Sequence, residues 1–333
     1  MDIDNTTPFI VATLPHPLPD GRYALVVIVK ATYRIEPNRV VFAEEQLPVL
    51  FADEIQETPT GVWTRCESDT ALIKLRADIA VIGTVRSPQG RPVTQLDASV
   101  QVGAWSKTLQ VFGARHWDTQ RFAQELVATP PQPFVEFLLD FTHAYGGHAY
   151  AANPVGKGFI TPDTKPKEAV GLPLPEITYP RLPASAWNAP QTPATLGFIS
   201  KSWQSRVMQL GTYDAVWKAQ RAPHAPEDFL LDFYNATARD QQIEGYLQGD
   251  EDVALRHLGL HPAMHFKLPG DHLQIAVISP STEVTYLDSH LDTLCIVADQ
   301  SMFYLVWRAV HLIDDVSGSN VATVRITRAT ATR

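Results

Sequence analysis

The chain has only two cysteines in 333 residues, Cys66 and Cys295. Two thiols cannot build a disulfide framework or a cysteine metal site. Their β-like surroundings read as reduced, buried thiols. Basic runs are missing too. Lys and Arg number 27 against 36 Asp and Glu, which gives a net charge of −9. A nucleic-acid protein carries a basic patch, so no nucleic-acid partner is expected. No stretch approaches the ~20 apolar residues of a membrane helix. The opening residues M-D-I-D-N-T-T-P-F lack the basic and apolar regions of a secretory signal. The expectation is a cytoplasmic protein without membrane insertion.

Catalytic templates are absent as well. There is no G-x-S-x-G elbow, no P-loop, and no G-x-G-x-x-G after a strand. His257, His261 and His265 recur every four residues, but Gly259 and Pro262 oppose the helix that would align them. They read as loop histidines, as do His143 and His148. Arg65 beside Cys66 would lower the thiol pKa, and Glu67 and Asp69 oppose that shift. Acids cluster at Glu67 and Asp69, at Glu227 and Asp228, and at Asp250, Glu251 and Asp252. Such clusters leave open a carbohydrate- or peptidoglycan-active hydrolase, which needs two carboxyls at a set separation. They also sit commonly on solvated turns. The reading favoured is no enzyme, no cofactor and no metal.

What the chain does have is 26 prolines and 45% hydrophobic residues. That combination gives a substantial core and much ordered loop, because proline is excluded from helix interiors and central strands. In residues 22–35, Tyr23, Leu25, Val27, Val29, Ala31, Tyr33 and Ile35 fall on one face. Ala24, Val26 and Ile28 fall on the other, followed by Lys30, Thr32 and Arg34. The period of two predicts a long strand, doubly buried in its first half. Met302 to Ile313 matches it in length and character, which hints at two similar β lobes. Further strands are expected over 71–86, 98–113 with a turn at Gly103, 134–141, 272–278, 283–286, 293–297 and 321–327.

Nine prolines between 146 and 200 argue against continuous secondary structure there. Phe159, Ile177, Tyr179, Leu182, Trp187 and Phe198 favour an ordered wrap over a disordered linker. Residues 201–221 predict two short helices interrupted at Gly211, with Thr212 capping the second. Asn235 to Ile243 predicts another short helix. Trp203, Tyr213, Trp217, Phe229, Phe233 and Tyr234 suit either a ligand groove or packing of the helices on a β scaffold, the reading favoured. Arg206 with Asp214, and Arg221 with Asp228, suggest ion pairs anchoring the loops.

Several short blocks together resemble one bacterial family. They run from F-I-V-A-T-L-P-H-P-L-P-D-G-R-Y at Phe9, through E-S-D-T (Glu67 to Thr70) with Lys74, to V-Q-V-G, Lys107 and V-F-G-A-R-H-W. A-Y-G-G (Ala144 to Gly147), N-P-V-G-K-G-F (Asn153 to Phe159), W-x-x-R, G-T-Y-D-x-x-W, P-x-D-F and D-Q-Q follow in order. The sequence is similar to the domain-of-unknown-function family DUF twenty-one sixty-nine, encoded beside type VI secretion spike and effector genes. Leu75 and Ala114 depart from its pattern, which has a proline and an acid there. The resemblance implies a cytosolic adaptor or chaperone. Its partners would be an effector protein and a VgrG or PAAR-type spike protein. It brings no catalytic residues. Its structural or partner-binding candidates are Tyr145, Gly146, Gly147, Asn153, Gly156, Gly158, Phe159, Trp203, Arg206, Tyr213, Asp214, Trp217, Asp228, Phe229 and Gln241.

The fold expected is mainly β with a few short helices: two associated antiparallel β-sandwich-like lobes joined by a proline-rich ordered wrap. Residues 1–145 form an N-terminal β-rich lobe, 146–262 the wrap with short helices, and 263–333 a C-terminal β-rich segment, all within one integrated unit. At least one of Gly146, Gly147, Gly156 and Gly158 is expected at positive φ or in close backbone contact.

Overall fold

Alternating apolar residues on Tyr23–Glu36 and Met302–Ile313 place these two long strands side by side. They pair antiparallel from Tyr23↔Ile313 to Arg34↔Met302. Their likeness therefore comes from a shared position at the centre of one sheet. The sheet runs in the order Gln242–Ile243, Ala77–Ile82, Ser289–Val297, Met302–Ile313, Tyr23–Glu36 and Ile10–Pro17, with Arg39–Phe42 also on Tyr23–Glu36. The pair formed by Ala77–Ile82 and Ser289–Val297 is parallel. Strands from 1–145 and 263–333 are thus woven into one layer. The computed structural model describes residues 1–18, 20–37, 39–119, 126–180 and 191–328. The chain is mainly β with short helices, as expected. Leu182 and Trp187 lie outside the described residues.

One face of this sheet meets two others. A five-stranded sheet runs Ile177–Thr178, Trp105–Phe112, Gln95–Val102, Asp252–Arg256 and Ala263–Lys267. A four-stranded sheet runs Asp2–Asn5, Thr323–Arg328, Leu273–Ile278 and Val284–Leu287. Leu25, Val27 and Val29 of the central sheet share a core with Val100, Leu109 and Leu255 of the second and Ile275 and Ile326 of the third. Each such side chain contributes about 1.5–3 kcal/mol when buried.

The opposite face is covered by loops. Ala24, Val26, Ile28, Ala80, Cys295 and Val306 pack there against Val49, Leu72, Phe198 and Ala236. The described parts of 146–200 are docked, with Ile160, Ile177, Leu196 and Phe198 all buried. Lys30 and Thr32, which the sequence places past the doubly buried half, are 1% and 0% exposed. Lys30 is closed on Asp69 at 2.8 Å and lies over the Tyr304 ring. Lys74 meets Asp78 at 2.7 Å and donates to Thr293 Oγ1. Arg308 meets Asp292 at 2.7 Å, and Arg206 forks onto both oxygens of Glu67. Asp292 reaches this face through a bulge between Leu291 and Thr293 in Ser289–Val297, since a bulge re-aims a side chain.

Several expected elements are altered by this layer. Residues 71–86 give strands only at Ala77–Ile82 and Thr84–Arg86, because the preceding turn carries Lys74 and Arg76 inward. Phe134 to Phe141 yields only Glu136–Leu138. The helix expected at 235–243 is instead one 3-10 turn, Arg239–Gln241, then the strand Gln242–Ile243. Asp78 draws in Asn235 Nδ2, Ala236 N–H and both the N–H and hydroxyl of Thr237, which competes with helical bonding. Among the described residues, no helix is long and apolar enough to cross a membrane.

Breaking one of these pairs strands a charge in a dry layer. Lys74→Met lowers unfolding free energy by about 3–5 kcal/mol in urea titration. The same change at Arg239, exposed and paired with Glu244, leaves the midpoint unchanged within error. Acid should act in the same way. Burial pushes Asp78 up, but Lys74 and the Ala236 and Thr237 donors outweigh it and hold it below its ordinary 3.8. Asp140 is also raised by burial and held lower overall by His143 and Thr142. Carboxylates with depressed folded values stabilise fully above the unfolded pKa and lose that contribution as pH falls. Urea midpoints therefore drop from about pH 5 to pH 3, and Asp140→Asn shallows the slope.

Candidate protein-binding surface

Asn153 is fully buried and donates through Nδ2 to the carbonyls of Phe141 and Tyr145. The A-Y-G-G and N-P-V-G-K-G-F blocks fold around it. Tyr145–Gly146 and Lys157–Gly158 pair as two short parallel strands. Gly147 N–H reaches Asn153 O at 2.9 Å, and Phe159 N–H reaches Gly146 O. A Cβ on Gly156 would stand 2.3 Å from Asn153 Nδ2 and 2.6 Å from Ala144 O. Gly158 adopts φ +93° against Pro175. The expected glycine constraint is present at both positions. Tyr145, Tyr150 and Phe159 pack ring against ring over this knot.

Trp203 is 2% exposed and sits edge-on to Phe141 at 4.7 Å, with Trp63 and Val155 beside it. Arg206, one turn on in Gln204–Val207, is also buried. Its partner is Glu67, where the sequence suggested Asp214, and it also donates to the carbonyls of Ile199 and Phe233. Gln241 links two sheets. Its Nε2 donates to Ile79 O, and its Oε1 accepts from Lys107 Nζ at 2.9 Å. Burial lowers the Lys107 pKa even though Asp240 opposes that shift.

The remaining motif residues build a different feature, an excursion over 207–230. Gln209 O accepts from Leu230 N–H at its neck. Asp228 accepts from the N–H and hydroxyl of Thr212. Asp214, and not Thr212, caps the helix Ala215–Gln220 by accepting from Trp217 N–H at 2.8 Å. The Trp217 indole donates to His224 O, and Tyr213 lies edge-on to Trp217 at 4.6 Å. Phe229 packs on Phe233 and Tyr234. The motif therefore spends its polar groups on holding the excursion together. Its apolar groups face out: Val207, Met208, Tyr213, Val216 and Leu230 are 42%, 70%, 53%, 58% and 51% exposed. An open cleft of about 500 Å³ on the excursion is lined by Asp214, Val216, Trp217, Arg221, Glu227 and Asp228.

The sequence profile described as "Uncharacterized protein conserved in bacteria (DUF2169)" matches residues 20–308. The chain belongs to this family. No curated protein and no solved structure matches the chain. In this DUF2169 member several of the clustered acids have partners. Glu67 and Asp69 are closed on Arg206 and Lys30. Glu251 accepts from the N–H groups of Gln248 and Gly249. Asp250 faces Lys267, and Asp252 faces His265, at 3.7 and 3.9 Å. His257 turns to Asp97 O, on a hairpin and not a helix. Burial pushes the Cys66 thiol up beyond the ordinary range and Cys295 to about 12.

The sequence reading missed Lys30, Asp78, Asp292 and Arg308. A charge within an apolar strand was the one hint, and alternation alone does not tell a dry face from a wet one. The knot supplies the test of its own packing. Gly156→Ala should lower stability by about 1–3 kcal/mol through overpacking. Gly245→Ala, at φ +76° with open space around it, should cost less in the same urea titration.

Proposed function

We propose that this protein is a cytosolic adaptor or chaperone. It binds a type VI secretion effector and helps load it onto the spike complex, a VgrG or PAAR-type assembly. The observation that carries this reading is the exposed apolar group Val207, Met208, Tyr213, Val216 and Leu230. It stands on an excursion braced by the motif residues Thr212, Asp214, Trp217 and Asp228. Large apolar side chains exposed together on one excursion suit an interaction surface, and aromatics and methionine adapt to a partner's relief.

The base of the excursion is stiff. Arg206 pins it to Glu67 and to the carbonyls of Ile199 and Phe233. A partner that docks there meets a preorganised surface, which reduces the ordering cost of association. Binding to apolar effector segments would shield them before loading.

Met208→Asp with Val216→Asp should leave the melting temperature within about 2 °C of wild type, because both side chains are already exposed. Co-purification of the neighbouring effector should fall at least tenfold. A strain carrying this variant should lose delivery of that one effector and keep spike assembly. Turnover of a glycan by purified protein, abolished by changing one cleft carboxylate in a folded variant, would overturn the reading.

A further inference from the structure

Sheet edges carry unpaired backbone donors and acceptors, and proteins normally block them. Most edges of the three larger sheets are blocked here. Leu18 N–H bonds to Arg22 O, and the Ile10–Pro17 register continues from that pair. Alternation then points Val11, Thr13, Pro15 and Pro17 outward, and two of these four have no N–H to offer. Asp2–Asn5 carries two aspartates. Ala263–Lys267 carries His265 and Lys267 between Pro262 and Pro269. Gln242–Ile243 and Ile177–Thr178 are two residues long, and the latter lies between Pro175 and Pro180.

Val284–Leu287 is different. It ends the four-stranded sheet and reads V-T-Y-L, with no charge and no proline. Ser279 N–H donates to Glu283 O at 2.9 Å. The register Val277↔Thr285 and Ile275↔Leu287 continues that bonded phase. Thr285 and Leu287 thus face the neighbouring strand, and the N–H and C=O of Val284 and Tyr286 point outward. The Val284 and Tyr286 side chains are 44% and 65% exposed. This edge offers main-chain bonds and apolar side chains together.

We propose that Val284–Leu287 accepts an added β-strand: an extended, β-branched segment of a partner polypeptide, flanked by Lys or Arg. The flanking charges select the occupant. Glu283 and Asp288 bracket the strand, and both are exposed. A second copy of this chain would pair Val284 with its Tyr286. That register sets Glu283 opposite Leu287 of the copy and beside its Asp288, acid against acid. A partner with basic ends meets the same acids favourably. The inference stands apart from the adaptor reading, because it concerns main-chain pairing at a sheet edge and not the 207–230 excursion.

The test uses the full chain and two end-blocked peptides, Lys-Val-Thr-Val-Thr-Val-Lys and Glu-Val-Thr-Val-Thr-Val-Glu. Amide exchange is followed by NMR on deuterated protein. The Lys-ended peptide should slow exchange at Val284 and Tyr286. It should bind at least tenfold tighter than the Glu-ended one at low salt, with the gap narrowing as salt screens the ends. Tyr286→Pro should abolish binding while keeping the melting temperature, because its N–H is outside the ladder. Glu283→Lys with Asp288→Lys should invert the preference, and this carries the test should the proline variant fail to fold. The proposal is overturned by equal binding of both peptides or by no protection at millimolar peptide. A wild-type dimer that Tyr286→Pro converts to monomer also overturns it, since the occupant would then be a second copy.

Discussion

Four cations and four acids, closed on one another in a dry layer, fix how this chain covers its central sheet. Lys30, Lys74, Arg206 and Arg308 meet Asp69, Asp78, Glu67 and Asp292. Desolvation offsets much of what such pairs gain, so their main effect is on conformation. The cover is made of loops, and buried loops carry backbone groups that need partners. The ions supply them. Arg308 donates to the carbonyls of Asp69 and Ala71, and Arg206 to those of Ile199 and Phe233. Asp69 accepts from Leu50 N–H, and Asp78 from Ala236 and Thr237. Lys30, Asp78, Asp292 and Arg308 stand on strands of the central sheet and hold the loops laid over it, whereas Arg206 and Glu67 tie one part of the cover to another.

This explains how so proline-rich a chain presents a defined surface. The 195–206 and 233–241 segments are clamped on the sheet, and the 207–230 excursion emerges between them. Trp203 and Arg206 brace one leg, while Asn235 and Thr237 tie down the other. Motif residues split accordingly. Asn153, Gly156, Trp203, Arg206 and Gln241 are internal. Thr212, Asp214, Trp217 and Asp228 shape the excursion and leave Met208 and Val216 in solvent. Function in this reading lies beside the motif, on the side chains that the motif displays.

The strands were legible where period two met β-branched residues, as in Tyr23–Glu36, Gln95–Val102 with Trp105–Phe112, and Met302–Ile313. The glycine knot was legible because close approach leaves no other residue choice. Lys30 and Arg308 were not. Alternation reports which face a residue lies on, and it does not report whether that face is wet. Asp292 was hidden by a bulge, which shifts phase without a composition signal. The helix expected at 235–243 failed because Asp78, far away in sequence, competes for the same backbone donors. Asp214 displaced Thr212 as the cap because Asp228 already engages the threonine hydroxyl.

Loop cover and sheet form one cooperative unit, welded by the buried charges, with the excursion as a separable part. Native-state hydrogen exchange across a urea series measures this directly. Amides of Ala236, Thr237 and Leu50 should open with those of Val27 and Leu305, at the global unfolding free energy. Amides of Trp217 and Lys218 should open at a lower one. Exchange of the loop amides at low free energy, independent of the central strands, would contradict the account.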